Sequence, residues 1–316
     1  MNAVLLYYHF APIADHAMLR ELHAQFCRDH EIVGRIHVAP EGLNGTCAGS
    51  VEAVSAYKVH VEAWPGFADI VWKEEFVSEI PFSKLRVRAR HALVALPEEH
   101  EVDPHSEGGE RMSPVDWREA AARGDVLLLD VRNGYEWDIG HFTNALRAPV
   151  DTFAEFPAWA DEIDVPKETQ ILMYCTGGIR CEKFSGLLKR RGYDNVHQLD
   201  GGIVSYAKDQ GGALFEGKCF VFDDRLSIDI GGAPNTWASC KWCGAKTTRH
   251  QNCANMDCNS LFICCEDCAM PNKGLCTLEC GDGERVREFR DEHIHKPFKT
   301  KGFEKVVETA SSDPLT

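Results

Sequence analysis

Tyr174-Cys175-Thr176-Gly177-Gly178-Ile179-Arg180-Cys181-Glu182-Lys183 is the stretch that decides the reading of this chain. It begins where a short apolar run, Ile171 to Tyr174, reads as a strand buried on both faces of a parallel sheet, and it runs into a helical segment from about Glu182 to Arg191. A loop at such a junction turns its backbone N–H groups inward, and the helix N-terminus adds partial positive charge. Both favour a thiolate over a thiol, so Cys175 is expected to have a depressed pKa. Gly177 and Gly178 let the backbone wrap the sulfur, and Arg180 can close the cradle. Upstream, Val126 to Leu129 reads as a second buried strand, and a helix opens at Ser113-Pro114 and stops at Gly124.

Further motifs flank the loop. Leu129-Asp130-Val131-Arg132, Glu136-Trp137, Gly140-His141-Phe142, Ala145 and Pro149 together resemble the first rhodanese signature, and Asp200-Gly201-Gly202-Ile203 with Tyr206 resembles the second. Cys175 to Arg180 resembles the six-residue rhodanese active loop. Four residues separate Cys175 from Arg180, whereas the similar tyrosine-phosphatase loop has five, which disfavours a phosphatase. His141 and Asp130 are expected to hold the sheet and its following turn rather than to act on substrate.

The whole chain has 316 residues, 34 Lys plus Arg against 49 Asp plus Glu, and 14 cysteines. At about 150 residues per domain, two or three domains are expected. The acid excess excludes a chain that coats nucleic acid nonspecifically or lies on an anionic membrane, because both need a positive field. No apolar run approaches a membrane span, and Met1 to Phe10 lacks the basic start and cleavage site of a secretory signal, so a cytoplasmic protein with no membrane partner is expected. In a reducing compartment its cysteines are expected as metal ligands, catalytic thiols or buried small residues rather than disulfides.

The first ninety residues alternate strand and helix patterns. Val4 to Tyr8 and Val33 to Val38 read as strands, Met18, Leu19, Leu22 and Phe26 recur at helical spacing, and Asn44-Gly45 signals a hairpin turn. Ser50 caps a helix carrying Val51, Val54, Tyr57 and Val61, stopped by Pro65-Gly66, and Ile70 to Trp72 and Leu85 to Leu96 supply further strand. That order is the split βαβ of a ferredoxin-like (acylphosphatase-like) domain. Lys84, Arg86, Arg88 and Arg90 alternate with Leu85, Val87 and Ala89, which puts four cations on one strand face as a candidate RNA-binding row. Lys189-Arg190-Arg191 is a weaker candidate, since basic residues commonly end helices to oppose the dipole.

Residues 240–280 hold nine cysteines. Cys240 and Cys243, Cys253 and Cys258, Cys265 and Cys268, and Cys276 and Cys280 form four closely spaced pairs, which suits two tetrahedral zinc sites and leaves Cys264 over. Sequential and interleaved pairings both remain open at this point, as do iron and zinc; structural zinc is the expected metal, and the segment is expected to depend on it to fold. The predicted organisation is a ferredoxin-like domain over 1–96, an acidic linker over 97–112, a rhodanese-like parallel-sheet α/β domain over 113–215, a Cys-rich metal-binding module over 216–290, and a poorly ordered tail over 291–316. The fold class is therefore mixed α/β and α+β. Residues 97–165 contain 17 acids, five arginines and no lysine, so most of the net charge of −15 sits there and the remainder is nearly neutral.

Gly34-Arg35-Ile36, Glu41-Gly42-Leu43-Asn44-Gly45-Thr46, the string Tyr174 to Lys183, Asn252-Cys253 and Leu261-Phe262 resemble a rhodanese-domain family that hydroxylates the wobble uridine of tRNA at C5. The resemblance spans residues 4–280. It implies an oxidoreductase that uses molecular oxygen as co-substrate, with an electron donor the sequence does not identify, and the tRNA anticodon loop as partner. In that role Cys175 is the nucleophile, Arg180 and the loop Thr176, Gly177, Gly178 and Ile179 stabilise developing charge, and Cys181 is either a resolving thiol or an inert helix cysteine. The competing expectation is a persulfide sulfurtransferase using the same thiolate. A non-enzymatic adaptor is disfavoured because the loop keeps both Cys175 and Arg180.

Overall fold

The computed structural model describes residues 1–234 and 238–295, apart from the side chains of Glu98 and His295. β1 (Asn2–Phe10), α1 (His16–Asp29), β2 (Val33–Ala39), β3 (Gly42–Ser50), α2 (Val51–Glu62), β4 (Lys73–Val77) and β5 (Leu85–Ala89) form a sheet of order β4-β1-β3-β2-β5. The first four strands are the ferredoxin-like arrangement, and β5 adds a parallel partner to β2. Alternation along each strand sends Leu5, Tyr7, Ile36, Val38, Leu43 and Cys47 into a core closed by Val54, Tyr57 and Val61 of α2. The opposite face carries Val4, Leu6 and Tyr8.

Three local expectations for this domain are corrected. Asn44-Gly45 lies inside β3, and the chain reverses at Pro40-Glu41. The reason is space rather than a turn: a Cβ at position 45 would come within 2.6 Å of Tyr7 Cζ, so glycine is required under that ring. Met18 and Leu22 of α1 are 58% and 56% exposed, and His23, Ala24 and Cys27 turn inward instead. His23 hydrogen-bonds the Tyr57 hydroxyl at 2.8 Å and lies edge-on to Trp64, so an aromatic cluster fixes the rotation of the helix. The strands expected over 70–72 and 85–96 form instead at Lys73–Val77 and Leu85–Ala89.

The stretch 97–112 is more than a linker. It forms α3 (Pro104–Glu107) and β6 (Glu110–Met112), an edge strand parallel to the one over residues 196–199. The chain continues through α4 (Pro114–Arg123), β7 (Leu127–Asp130), α5 (Gly134–Ile139), β8 (Gly140–Phe142), β9 (Leu146–Arg147), α6 (Phe156–Trp159), β10 (Ile171–Tyr174), α7 (Ile179–Arg190), β11 (Val196–Leu199), α8 (Gly202–Gln210) and β12 (Phe215–Gly217). The parallel sheet has the order β6-β11-β10-β7-β9. β10 is central and buried throughout, so its carboxyl end opens at the middle of the sheet edge, the usual place for a site in an open parallel sheet.

β13 (Cys219–Phe220) and β14 (Ser227–Ile228) pair with each other, and Cys219 and Ile230 pack into the core around Trp117 and Tyr206. Residues 216–234 therefore pack with the rhodanese-like fold, and the chain divides into units 1–236 and 237–316 rather than at 216. The second unit holds β15 (His250–Asn252), β16 (Leu261–Ile263), α9 (Glu266–Ala269) and α10 (Glu292–His295). Of the tail expected from 291, residues 296–316 lie outside the described residues.

Candidate active site and metal centres

Cys175 sits between the end of β10 and the start of α7, with no exposed surface. Gly178, at φ +106°, turns its N–H onto the Cys175 Sγ at 3.1 Å. Only glycine takes that backbone conformation freely. A Cβ there would also fall 2.8 Å from the Tyr8 hydroxyl. Burial alone would push the Cys175 thiol up. The hydrogen bond from the Cys181 thiol, the Arg180 charge and the N–H groups of Arg180 and Gly178 outweigh it and bring the pKa down to about 5. Cys181, in the first turn of α7, moves the other way, raised by burial and by the adjacent Cys175, and so remains a proton donor to the thiolate. The N-terminus of α8 ties down the loop backbone, with Ile203 and Val204 N–H donating to the carbonyls of Cys175 and Thr176 at 3.0 and 3.2 Å.

Arg180 does not reach over the sulfur as a free arm. Its guanidinium donates to both carboxylate oxygens of Glu136, Nη1 to Oε2 at 2.6 Å and Nη2 to Oε1 at 2.8 Å, and the Thr176 hydroxyl adds a third bond to Oε1 at 3.2 Å. Burial works against the Glu136 carboxylate, but the Arg180 charge and hydrogen bonds hold it below the usual range. Asp130 is taken by Arg132, and His141 Nδ1 lies 3.1 Å from the Trp137 carbonyl with its ring stacked on Trp137.

The N-terminal domain roofs the loop. Position 177 faces Leu6, whose Cδ2 lies 3.4 Å from where a Cβ would sit, and the Tyr8 hydroxyl passes over Gly178 to donate to Glu182 Oε1 at 2.7 Å. Glu182 also accepts from Arg111 at 2.6 Å and Gln198 at 3.0 Å. Buried Lys183 is held by Glu41 at 2.8 Å and Glu101 at 2.6 Å, and Glu41 also accepts from Leu93 N–H at 2.6 Å. The Glu41-to-Thr46 motif thus acts partly as a latch between the sheet and the active-site helix. Glu136, Glu182, Tyr8 and Lys73 were not singled out by sequence reasoning as site residues. Glu136 stood within a signature and Glu182 within the Tyr174-to-Lys183 string; nothing local in the sequence marks Tyr8 or Lys73.

Residues opposite one another in a ladder share a face. One row across the N-terminal sheet reads Lys73, Leu6, Thr46, Arg35, Arg86, and the next reads Tyr8, Asn44, His37, Arg88. Both rows start over the Cys175 loop and end in the basic strand. Arg86, Arg88 and Arg90 are half-buried, Lys84 is exposed just before β5, and Arg35 and His37 join them as cationic or polar neighbours absent from the sequence reading. Burial and the charges of Arg90, Arg88 and Arg35 lower the His37 pKa to about 4, so this ring is neutral near pH 7. Lys189, Arg190 and Arg191 are engaged by the Gly108 carbonyl, Glu107 and Asp161.

In the second unit the eight paired cysteines gather as two groups, Cys240, Cys243, Cys265 and Cys268, and Cys253, Cys258, Cys276 and Cys280, each with all sulfurs within 4.8 Å of one another. First and third pairs share one group and second and fourth the other, so the arrangement is interleaved. Thiolates about 2.3 Å from a tetrahedral ion lie about 3.8 Å apart. The sulfurs of Cys243 and Cys265, Cys258 and Cys276, and Cys276 and Cys280 lie 3.7, 3.5 and 3.6 Å apart, so both groups fit a metal ion. Cys264 is buried outside both groups.

Three family models match the chain: a UPF0176 acylphosphatase like domain over residues 2–93, a Rhodanese-like domain over 113–209 and a Rhodanase C-terminal segment over 216–281. A protein of Chlamydia muridarum named tRNA uridine(34) hydroxylase is 41% identical over 303 residues, covering 94% of this chain and 92% of the relative. Proteins of the same name from Protochlamydia amoebophila and Chlamydia felis are 41% and 39% identical, over 94% and 93% of this chain and 94% and 92% of theirs. Identity at that level, carried through both the Cys175 loop and the cysteine-rich unit, means that the chain belongs to the tRNA uridine(34) hydroxylase family.

Proposed function

We infer that this chain hydroxylates the wobble-position uridine of tRNA at C5, with the Cys175 thiolate as nucleophile. The observation that carries the reading is the two rows of the N-terminal sheet, which run from the roof of the Cys175 loop to the basic strand. A thiolate formed at one end and a cationic strand at the other suit a single-stranded loop that presents one base while its phosphates meet Arg86, Arg88, Arg90 and Lys84. Addition of the Cys175 sulfur to C6 of uracil makes C5 nucleophilic. One oxygen atom of dioxygen then enters at C5 and the other leaves as water. Two electrons and two protons complete the balance, and elimination returns the thiolate. Loop N–H groups and the charge of Arg180, fixed by Glu136, stabilise the anion on the base. Because the sulfur is fully buried, tRNA engagement has to part the sheet from the loop at Leu6 and Tyr8.

The two cysteine groups hold zinc in this reading. The metal would supply folding energy to the second unit, whose described core is small and packs ligand cysteines among a few apolar side chains. A colourless preparation with two zinc ions per chain is expected; a brown or red one favours iron. Action on tRNA supports a cytoplasmic location; among the described residues no helix is long and apolar enough to cross a membrane.

The decisive experiment is mass spectrometry of tRNA incubated with the protein, with and without oxygen. Uridine heavier by one oxygen atom is expected with the wild type and absent with Cys175→Ala. Thiocyanate formed from thiosulfate and cyanide at a useful rate, with tRNA unchanged, would instead establish the sulfurtransferase.

A further inference from the structure

Lys73 lies at the start of one row, opposite Leu6 on β1, and is only 7% exposed. Among the described residues its Nζ has neither a hydrogen bond nor an ion pair; it stands 5.1 Å from the centroid of the Tyr8 ring. Its stem runs past Gly201, where a Cβ would sit 3.2 Å from the Lys73 Cε, so the second rhodanese signature leaves a channel for this side chain from the other domain. The ammonium faces a small cleft that it lines with Leu6, Thr46, Thr176 and Phe222. Phe222 is 40% exposed, with the Arg180 guanidinium 6.0 Å from its ring, an aromatic wall of the kind on which a base stacks. A buried, unpartnered cation is costly to keep. A neighbouring anion that forms or moves during the reaction is what would justify it.

We propose that Lys73 is a catalytic residue of the Cys175 site, supplied by the N-terminal domain, whose ammonium meets O4 of the uracil once the base has entered by this cleft and reached the sulfur between sheet and loop. The inference rests on the nucleophilic role read for Cys175. When the thiolate adds at C6, the S–C6 bond forms, the C5–C6 π pair moves to C4–C5, and the C4–O4 π pair goes onto O4. The charge that leaves sulfur therefore arrives at O4, and Lys73 stabilises it without any change of oxidation state. Burial depresses the Lys73 pKa to about 8 against the opposing pull of Cys175 and Asp200; Arg111 lowers it further, and Glu182 raises it. Tyr8 itself is held neutral by burial and by Glu182. Glu74, Glu75, Lys208, Asp223 and Arg225 also line the cleft.

The addition step can be read without oxygen, because a C5 made nucleophilic takes up a solvent proton and releases one on elimination. Exchange of the C5 hydrogen of the target uridine in D2O, under anaerobic conditions, is expected with the wild-type protein and not with Cys175→Ala. Lys73→Met is expected to slow exchange by about 10²–10³-fold, the usual loss for one oxyanion donor. Lys73→Arg, which keeps the charge, is expected to recover most of the rate and to move the alkaline limb of the profile upward from near pH 8. Wild-type exchange with Lys73→Met within threefold of it, or an alkaline limb that Lys73→Arg leaves in place, overturns the role of Lys73 alone. No exchange by the wild type overturns the addition chemistry and Lys73 with it.

Discussion

Glu136 and Arg180 offer the sharpest test of how the Cys175 loop is held. Their two hydrogen bonds, at 2.6 and 2.8 Å, join side chains that are 0% and 10% exposed, so water cannot replace either partner. Removing one member of a buried pair leaves the other desolvated and costs about 3–5 kcal/mol, whereas neutralising both is often close to neutral. Glu136→Gln and Arg180→Met are therefore each expected to destabilise the first unit by about 3–5 kcal/mol. For a unit of 150–250 residues, at about 2–4 °C per kcal/mol, that is a fall in melting temperature of roughly 6–20 °C. The double variant is expected to be more stable than either single one, which requires a coupling larger than either single loss, at least about 3–5 kcal/mol. Urea unfolding followed by circular dichroism, with the four proteins compared at one pH, reads the cycle. Single variants that each lose less than about 1 kcal/mol, or losses that simply add in the double variant, would refute the buried-pair reasoning.

Other expectations are open to direct measurement. The Cys175 pKa of about 5 lies below the unfolded value of about 8.5, so its contribution to stability is present in full above pH 8.5 and is lost as pH falls through 5. The stability gap between wild type and Cys175→Ser should therefore widen between pH 5 and 8.5; a gap that is flat or narrows with pH contradicts the depressed pKa. Removing metal with a chelator should melt the second unit while the circular dichroism of the parallel sheet persists, and Cys243→Ser should lower the metal content from two ions per chain towards one. Replacing Arg86 and Arg88 by Ala should weaken tRNA binding and flatten the slope of log K against log salt by about 1.4, at about 0.7 per cation lost on a single strand. An unchanged slope would take the basic strand out of the RNA contact.

The parts of this molecule that were legible from sequence are those whose chemistry is local. A strand end, two glycines and a helix start occupy ten consecutive residues, so the thiolate cradle can be read without knowing the fold. Ligand spacing likewise marks the eight cysteines, but which pairs share an ion depends on a fold that interleaves segments 18 and 22 residues apart. Partners that meet only in three dimensions stayed hidden: Glu136 is 44 residues from Arg180, and Tyr8 is 174 from Glu182. Local signals also misled. Asn44-Gly45 carries the mark of a hairpin, yet its glycine answers the Tyr7 ring packed against it.

Charge shows most clearly why counting is not enough. The acids of 97–112 look like a solvated linker, but Glu101 binds Lys183 and Glu107 binds Arg190, so part of this run clamps the active-site helix. Contacts of the same kind bear on the two basic candidates proposed for RNA. Lys189-Arg190-Arg191 is the denser cluster in sequence, and each member is already bonded within the protein. The sparser alternation over 84–90 gains Arg35 across the ladder instead, and burial together with repulsion from Arg86 lowers the Arg35 pKa. Gathering Arg35 with Arg86 and Arg88 costs mutual repulsion that Asp224 and Asp223 offset only in part, and an anion arriving from outside would relieve the rest. A polyanion threading one base towards Cys175 meets that requirement, and it gives the basic strand of an acidic protein a use.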